Sequence, residues 1–164
     1  MKKTILFFFI LISFVSQGQS YHITHLKVED GLSQNLVSDM IQDQRGSIWF
    51  ATQEGVTIYD GVNYTFINDS NGLNSKIVNC LYEDVKGHIW IGTNKGLTVY
   101  DGKDFRTFTK EDGLSTNIIR SIFEDVNSRL WVGTQYGGVC ILNNISKTEK
   151  FEKFEFPFVK KNYG

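Results

Sequence analysis

The chain has 164 residues, of which 41% are apolar, 21% charged and 14% aromatic, and its formal net charge is -1. That length admits one domain, that apolar content excludes a disordered chain, and the near-neutral balance lacks the basic excess of a nucleic-acid binder.

At the start of the chain, Lys2-Lys3 precede an apolar run over 5–15 and the short polar stretch Ser16-Gln17-Gly18-Gln19. Such a run is too short to span a bilayer, and the three-part layout predicts a secretory signal over 1–20, with Ser16 and Gly18 as the small residues before the cut. Removing it takes away two lysines and leaves a formal charge of -3 on an exported chain. No cysteine lies near the cut, which argues against a lipid anchor. No later apolar run approaches the roughly 18 residues expected of a membrane span.

From residue 31 the chain repeats. Trp49, Trp90 and Trp131 stand 41 positions apart, Gly31-Leu32, Gly72-Leu73 and Gly113-Leu114 open the units, and Asp43, Asp84 and Asp125 precede the tryptophans by six. A repeat of this length is one supersecondary unit that cannot bury its apolar face alone, so it must stack on a neighbour. The units run over 31–71, 72–112 and 113–156, and 157–164 is a tail or the start of a further unit. Shifting back by 41 from Tyr64-Thr65-Phe66-Ile67 lands on Ile23-Thr24-His25-Leu26, so 21–30 is expected to supply a lone outer strand and a linker.

Within a unit, Ile48-Trp49-Phe50-Ala51-Thr52 and its equivalents Ile89-Trp90-Ile91-Gly92-Thr93 and Leu130-Trp131-Val132-Gly133-Thr134 are short apolar runs between turn signals, and each reads as a strand. Adjacent side chains of a strand point to opposite faces, so both faces of these strands are expected to be covered. Two further short strands follow, over 56–60 and 64–67 in the first unit and over 97–101 and 105–108 in the second. The opening element is ambiguous. Leu36, Val37, Met40 and Ile41 have helical spacing after a capping Ser33, but the segment is short for a helix. The β-branched pairs Ile77-Val78 and Ile118-Ile119 at the same slots favour a strand. Four strands per unit predict an all-β chain, a partial β-propeller of about three four-stranded blades, with a solenoid of mixed helix and strand as the competitor.

The series Glu29-Asp30-Gly31-Leu32-Ser33, Asp43-x-x-Gly46-x-Ile48-Trp49-Phe50-Ala51-Thr52-x-x-Gly55-Val56 and Tyr59-Asp60-Gly61 resembles the two-component regulator propeller repeat. The second copy, through Ile89-Trp90-Ile91-Gly92-Thr93-x-x-Gly96-Leu97-x-x-Tyr100-Asp101-Gly102, is closer still. The third departs at Ser128, where a turn glycine is expected, and at Leu142-Asn143, where Asp-Gly is expected. The resemblance implies the periplasmic sensing region of a hybrid sensor histidine kinase, with an oligosaccharide as ligand. Three blades fall short of the usual four to eight, so the chain is expected to be a fragment of a longer sensor or a subunit that closes by self-association.

Residues present in every unit are weak candidates for a single site. Asp43, Asp84 and Asp125 read as Asx-turn closures, the tryptophans as packing between blades, and Ala51, Gly92 and Gly133 as points of close backbone approach. Glu83-Asp84 and Glu124-Asp125 read as strand ends. Cys80 sits in the slot of Asp39 and Ser121 and Cys140 in that of Ile58 and Val99, on different strands of different units, which favours two free thiols over a disulfide. His22, His25 and His88 lack the spacing of a zinc site. No nucleophile elbow, phosphate loop or dinucleotide fingerprint is present, so neither a catalytic group nor a cofactor is expected. The Phe- and Lys-rich stretch over 147–161 reads as an outer strand and the interrupted start of another blade.

Specificity on a repeated scaffold lies where the units differ. The hairpin between the second and third strands holds Gln53-Glu54, Asn94-Lys95 and Gln135-Tyr136, and it should share an end with the lead-in segments Ser33-Gln34-Asn35, Asn74-Ser75-Lys76 and Ser115-Thr116-Asn117. Gln53, Asn94, Lys95, Gln135 and Tyr136 are therefore the candidate ligand-binding residues. The functional readings are a sensing segment of a two-component system, an exported scaffold for protein partners, and, third, a glycan-active propeller enzyme.

Overall fold

The computed structural model describes residue 23 and residues 25–143 and 150–154. The expected signal over 1–20 and the tail over 157–164 lie outside the described residues. Among the described residues the chain forms three antiparallel four-stranded sheets. Blade 1 is β1 (Val37–Gln42), β2 (Ile48–Thr52), β3 (Gly55–Tyr59) and β4 (Tyr64–Ile67). Blade 2 is β5 (Val78–Glu83), β6 (Ile89–Thr93), β7 (Leu97–Tyr100) and β8 (Phe105–Phe108). Blade 3 is β9 (Ile119–Glu124), β10 (Leu130–Thr134), β11 (Gly138–Leu142) and β12 (Glu152–Lys153). In each blade the strands pair in sequence order, as the up-and-down blade of a propeller requires.

The ambiguous opening element is a strand in all three units, and its irregularity explains the helix-like spacing. The pairing of β1 on β2 skips from Val37 to Asp39, leaving Ser38 as an extra residue, and the same skip passes over Asn79 in β5 and Arg120 in β9. A β-bulge of this kind shifts the alternation by one residue and re-aims the side chain at the bulge. Beyond it, Asp39 and Ile41 are half-buried while Met40 is 61% exposed.

The first strands of neighbouring blades lie side by side, β1 beside β5 and β5 beside β9. One buried cluster joins blades 1 and 2 through Trp49, Val56, Leu73, Val78, Leu81 and Ile91. A second joins blades 2 and 3 through Trp90, Leu97, Leu114, Ile119, Leu130 and Val132. All of β6 is buried, as a strand packed on both faces must be. Each fully buried Ile, Leu or Val contributes on the order of 1.5–3 kcal/mol. Gly92 allows the approach, because a Cβ there would collide with Cys80 Sγ and would meet Ile119 Cγ2 of blade 3 at 2.8 Å.

Polar bonds fix the relative register of the blades. Asp39 accepts from the Leu81 N–H at 2.9 Å, and the Asn79 amide donates to the Ile119 carbonyl at 2.9 Å. Glu83 accepts from the Gln44 N–H at 3.0 Å and Glu124 from the Val85 N–H at 2.9 Å. The acidic strand ends are thus clamps that tie each blade to the turn of the blade before it, a role that the sequence alone did not reveal.

The third unit departs from the 41-residue register. Its hairpin pairs Thr134 with Gly138, whereas blade 1 pairs Thr52 with Gly55, so blade 3 carries one extra residue. Cys140 faces Val132 as Thr57 faces Phe50 and Thr98 faces Ile91. Cys140 therefore occupies the slot of Thr57 and Thr98, not that of Ile58 and Val99, because the extra residue displaces everything after it. For the same reason Leu142 takes the place of Tyr59 and Tyr100. Both cysteines are buried free thiols. Ser128 adopts the left-handed conformation, φ 57°, that Gly46 and Gly87 adopt in the other turns.

β12 supplies the outer strand expected of the third unit, and Phe154 packs edge-on against Trp131 at 5.0 Å. At the other end, Ile23, His25 and Leu26 lie outside the three sheets, and Val28–Asp30 forms a single 3-10 turn. An outer strand forms only against a third strand, and Ile23, His25 and Leu26 meet none among the described residues; His22 and Thr24 lie outside them.

Candidate functional site

Each blade closes one end with the same local chemistry. In blade 1, the Ser33 and Thr52 hydroxyls lie 2.9 Å apart, the Ser33 N–H donates to the Thr57 hydroxyl at 3.0 Å, and the Thr52 hydroxyl donates to the Gly55 carbonyl at 2.9 Å. In blade 2, Asn74 takes the place of Ser33 and accepts from the Thr93 hydroxyl at 3.0 Å. In blade 3, Ser115 N–H contacts Cys140 Sγ at 3.1 Å, so the thiol fills the threonine's role as acceptor. These bonds pull the hairpin onto the lead-in segment. The Gln53 N–H donates to Gln34 Oε1, the Asn94 N–H to the Ile77 carbonyl and the Gln135 N–H to the Ile118 carbonyl, at 3.1, 3.2 and 2.8 Å. Hairpins and lead-in segments share one end of the stack.

Between blades 1 and 2 this end opens into a polar cleft of about 380 Å³. Gln53, Asn94 and Lys95 line it together with Gln34, Ser75 and Lys76. The Lys76 ammonium bridges to Glu54 at 3.3 Å across the two blades, an exposed pair worth about 0–1 kcal/mol that leaves the rim open to exchange partners. Ser75 is buried and its hydroxyl holds Asn94. Gln135 and Tyr136 are not in the cleft. They sit on the hairpin of blade 3, where Gln135 accepts from Arg120 Nε at 3.0 Å and Tyr136 is 95% exposed at φ 62°. The structure thus brings three of the five candidates into one cleft and leaves two on the neighbouring hairpin.

The opposite end carries the Asp–Trp turns. The Asp84 carboxylate accepts from the Lys86 and His88 N–H groups at 2.9 Å and meets His88 Nδ1 at 3.0 Å. Burial pushes the Asp125 carboxyl up, but hydrogen bonds from the Trp131 indole, from the Arg129 backbone and side chain and from the Asn127 N–H outweigh it, and the pKa is held down at about 2. A smaller cavity of about 260 Å³ lies near this end, lined by Trp90, Phe105, Phe108, His88, Asp101 and Leu142 among others. Its origin is local: Tyr100 packs against Trp49 at 6.0 Å between blades 1 and 2, whereas the smaller Leu142 stands in that slot beside Trp90. No group of three or more His, Cys, Asp or Glu side chains suited to a metal occurs among the described residues.

Four-stranded up-and-down sheets, stacked face to face with their first strands adjacent, define this chain as a run of β-propeller blades. Residues 31–54, 72–95 and 113–136, one stretch in each unit, match the two-component regulator propeller family. Histidine kinase P4 of Formosa agariphila is 37% identical over 59 residues, covering 36% of this chain and 4% of the kinase. The chain superposes with a TM-score of 0.72 and 28% identity on the extracellular domain of a protein described as a hybrid two component system, BT3049 from B. thetaiotaomicron, covering 81% of this chain and 19% of that one. A second such extracellular domain, BT4673 from the same organism, gives a TM-score of 0.65 at 22% identity over 75% of this chain and 19% of that one. PorZ of Porphyromonas gingivalis, a surface component of the type-IX secretion system, shares the fold at a TM-score of 0.51 and 22% identity, over 63% of this chain and 17% of PorZ. The chain thus spans a fifth or less of the length of each of these relatives. Among the described residues no helix is long and apolar enough to cross a membrane.

Proposed function

We propose that this chain is an extracytoplasmic, periplasmic ligand-sensing propeller segment of a two-component regulatory system, and that its ligand is an oligosaccharide bound at the hairpin end. The observation that carries the reading is the cleft between blades 1 and 2, where Gln53, Asn94 and Lys95 converge. Amide and ammonium groups there offer both donors and acceptors, which is the chemistry needed to hold sugar hydroxyls. The matches to hybrid two-component systems and to a histidine kinase support the regulatory context. In a longer sensor these blades would form part of the exported propeller, completed by further blades, and the signal over 1–20 would direct its export.

The chain itself is not proposed to catalyse a reaction. Among its acidic side chains, Asp84 is engaged in a turn and Glu83 and Glu124 in the blade clamps. The test is calorimetric titration of the full chain with a panel of neutral and acidic oligosaccharides, repeated after replacing Gln53, Asn94 and Lys95 with alanine. Saturable binding lost in the triple variant supports the reading. Unchanged affinity removes the cleft from the site, and a protein partner captured in place of any sugar makes the chain a scaffold.

A further inference from the structure

Arg120 stands at the bulge of β9, in the slot that Ser38 and Asn79 occupy in the other blades. A bulge turns its residue out of the ladder, and here it aims a cation at the end where the hairpins lie. The guanidinium is exposed, yet it is fixed. Its Nε and Nη2 both donate to Gln135 Oε1, the former at 3.0 Å, and Nη1 reaches Asn79 Oδ1 at 3.5 Å. Both supports are themselves tied to backbone. The Gln135 N–H bonds to the Ile118 carbonyl at 2.8 Å and Asn79 Nδ2 to the Ile119 carbonyl at 2.9 Å.

Arg129 lies 2.6 Å from Asp125 and Lys76 lies 3.3 Å from Glu54, so each of these cations is held in an ion pair. Arg120 has only neutral amide oxygens as partners and makes no ion pair within 4.0 Å among the described residues. Of its five N–H groups three are used, leaving one on each terminal nitrogen. Charged guanidinium N–H groups of that kind suit the oxygens of a carboxylate.

We propose that the Arg120 guanidinium, oriented by Asn79 and Gln135, is a subsite for a carboxylate carried on an oligosaccharide. The proposal rests on the ligand-binding reading of the hairpin end and narrows it to acidic sugars. Blade 1 has Ser38 at this slot and blade 2 has Asn79, so the charge is specific to blade 3 and not part of the repeat. An asymmetric group on a symmetric scaffold is what a single ligand orientation requires.

The experiment is titration of the full chain with trigalacturonate, with its methyl ester as the neutral counterpart, and with sodium acetate as the free anion. Parallel titrations use Arg120→Gln and Arg120→Lys, with thermal unfolding as a check on folding. Trigalacturonate should bind about tenfold or more tighter than the ester, and the preference should weaken with salt. Arg120→Gln should bring the affinity for trigalacturonate down to that for the ester, and Arg120→Lys should restore only part of the difference. Equal affinity for acid and ester, or a preference that survives in Arg120→Gln, overturns this subsite and leaves the oligosaccharide reading standing. Acetate binding that is lost in Arg120→Gln, with neither sugar bound, overturns the sugar-borne ligand at this subsite and leaves the oligosaccharide reading to the cleft titration. No response to any of the three overturns this subsite, whereas the oligosaccharide reading falls only if the wider panel of neutral and acidic sugars also fails to bind.

Discussion

The indole Nε1 of Trp90 donates to Asp84 Oδ2 at 2.9 Å, and the same bond at the same length joins Trp49 to Asp43 and Trp131 to Asp125. The six-residue spacing of these pairs has a physical cause in that bond. Each carboxylate closes its turn with one oxygen and holds the indole with the other, so the turn and the tryptophan's packing form one unit.

Asp84→Ala should cost about 2–4 kcal/mol, because it leaves the Trp90 indole N–H and two turn N–H groups without an acceptor in a buried setting. Chemical denaturation followed by tryptophan fluorescence measures it. A loss under about 0.5 kcal/mol would mean that water replaces the carboxylate at little cost.

The Asp125 carboxyl has a pKa of about 2 in the folded chain, below its ordinary value of 3.8. A depressed folded pKa contributes stability that is complete above the unfolded value and is lost as pH falls through the folded one. Thermal midpoints should therefore fall between about pH 4 and pH 2, and Asp125→Asn, less stable at neutral pH, should show a smaller fall across that window. Parallel curves for the two proteins would show that other carboxyls govern acid unfolding.

Gly92→Ala should destabilise by about 1–3 kcal/mol, since the added methyl meets Cys80 Sγ on one side and Ile119 of blade 3 on the other. Pairing it with Cys80→Ala should recover part of the loss in a double-mutant cycle, because that thiol is the nearer obstacle.

Burial pushes the Cys80 thiol up to about 12, so thiolate is scarce at pH 8, and Cys140 is fully buried. Neither should react with a disulfide reagent in the folded chain, and both should react in denaturant. Mass spectrometry would show two labels only after unfolding. Rapid labelling of the native chain would place one thiol in a more open blade.

The strands and their order were legible in the sequence because three copies of one pattern reinforce each other at every slot. The Trp49, Trp90 and Trp131 strands read correctly from apolar runs between turn signals, and the opening strands read correctly despite a helix-like spacing created by the bulges at Ser38, Asn79 and Arg120. Cys140 was misplaced by one slot, because the extra residue in the third hairpin is invisible until pairing shows that Gly138, and not Gly137, matches Gly96 and Gly55. The Glu83 and Glu124 clamps escaped because they bridge residues 39 apart, and no local pattern announces a side chain aimed at the preceding blade. In the candidate site, the chemistry of the hairpins was legible. The grouping of Gln53 with Asn94 and Lys95 was not, because it depends on how two blades face each other.

The most direct test of the account is hydrogen–deuterium exchange of the full chain with and without a bound oligosaccharide. Slower exchange is expected at the hairpins and lead-in segments of the blades, around 33–35, 52–55, 74–77 and 93–96. Protection confined to the opposite end, at the turns that hold Asp43, Asp84 and Asp125, would contradict it.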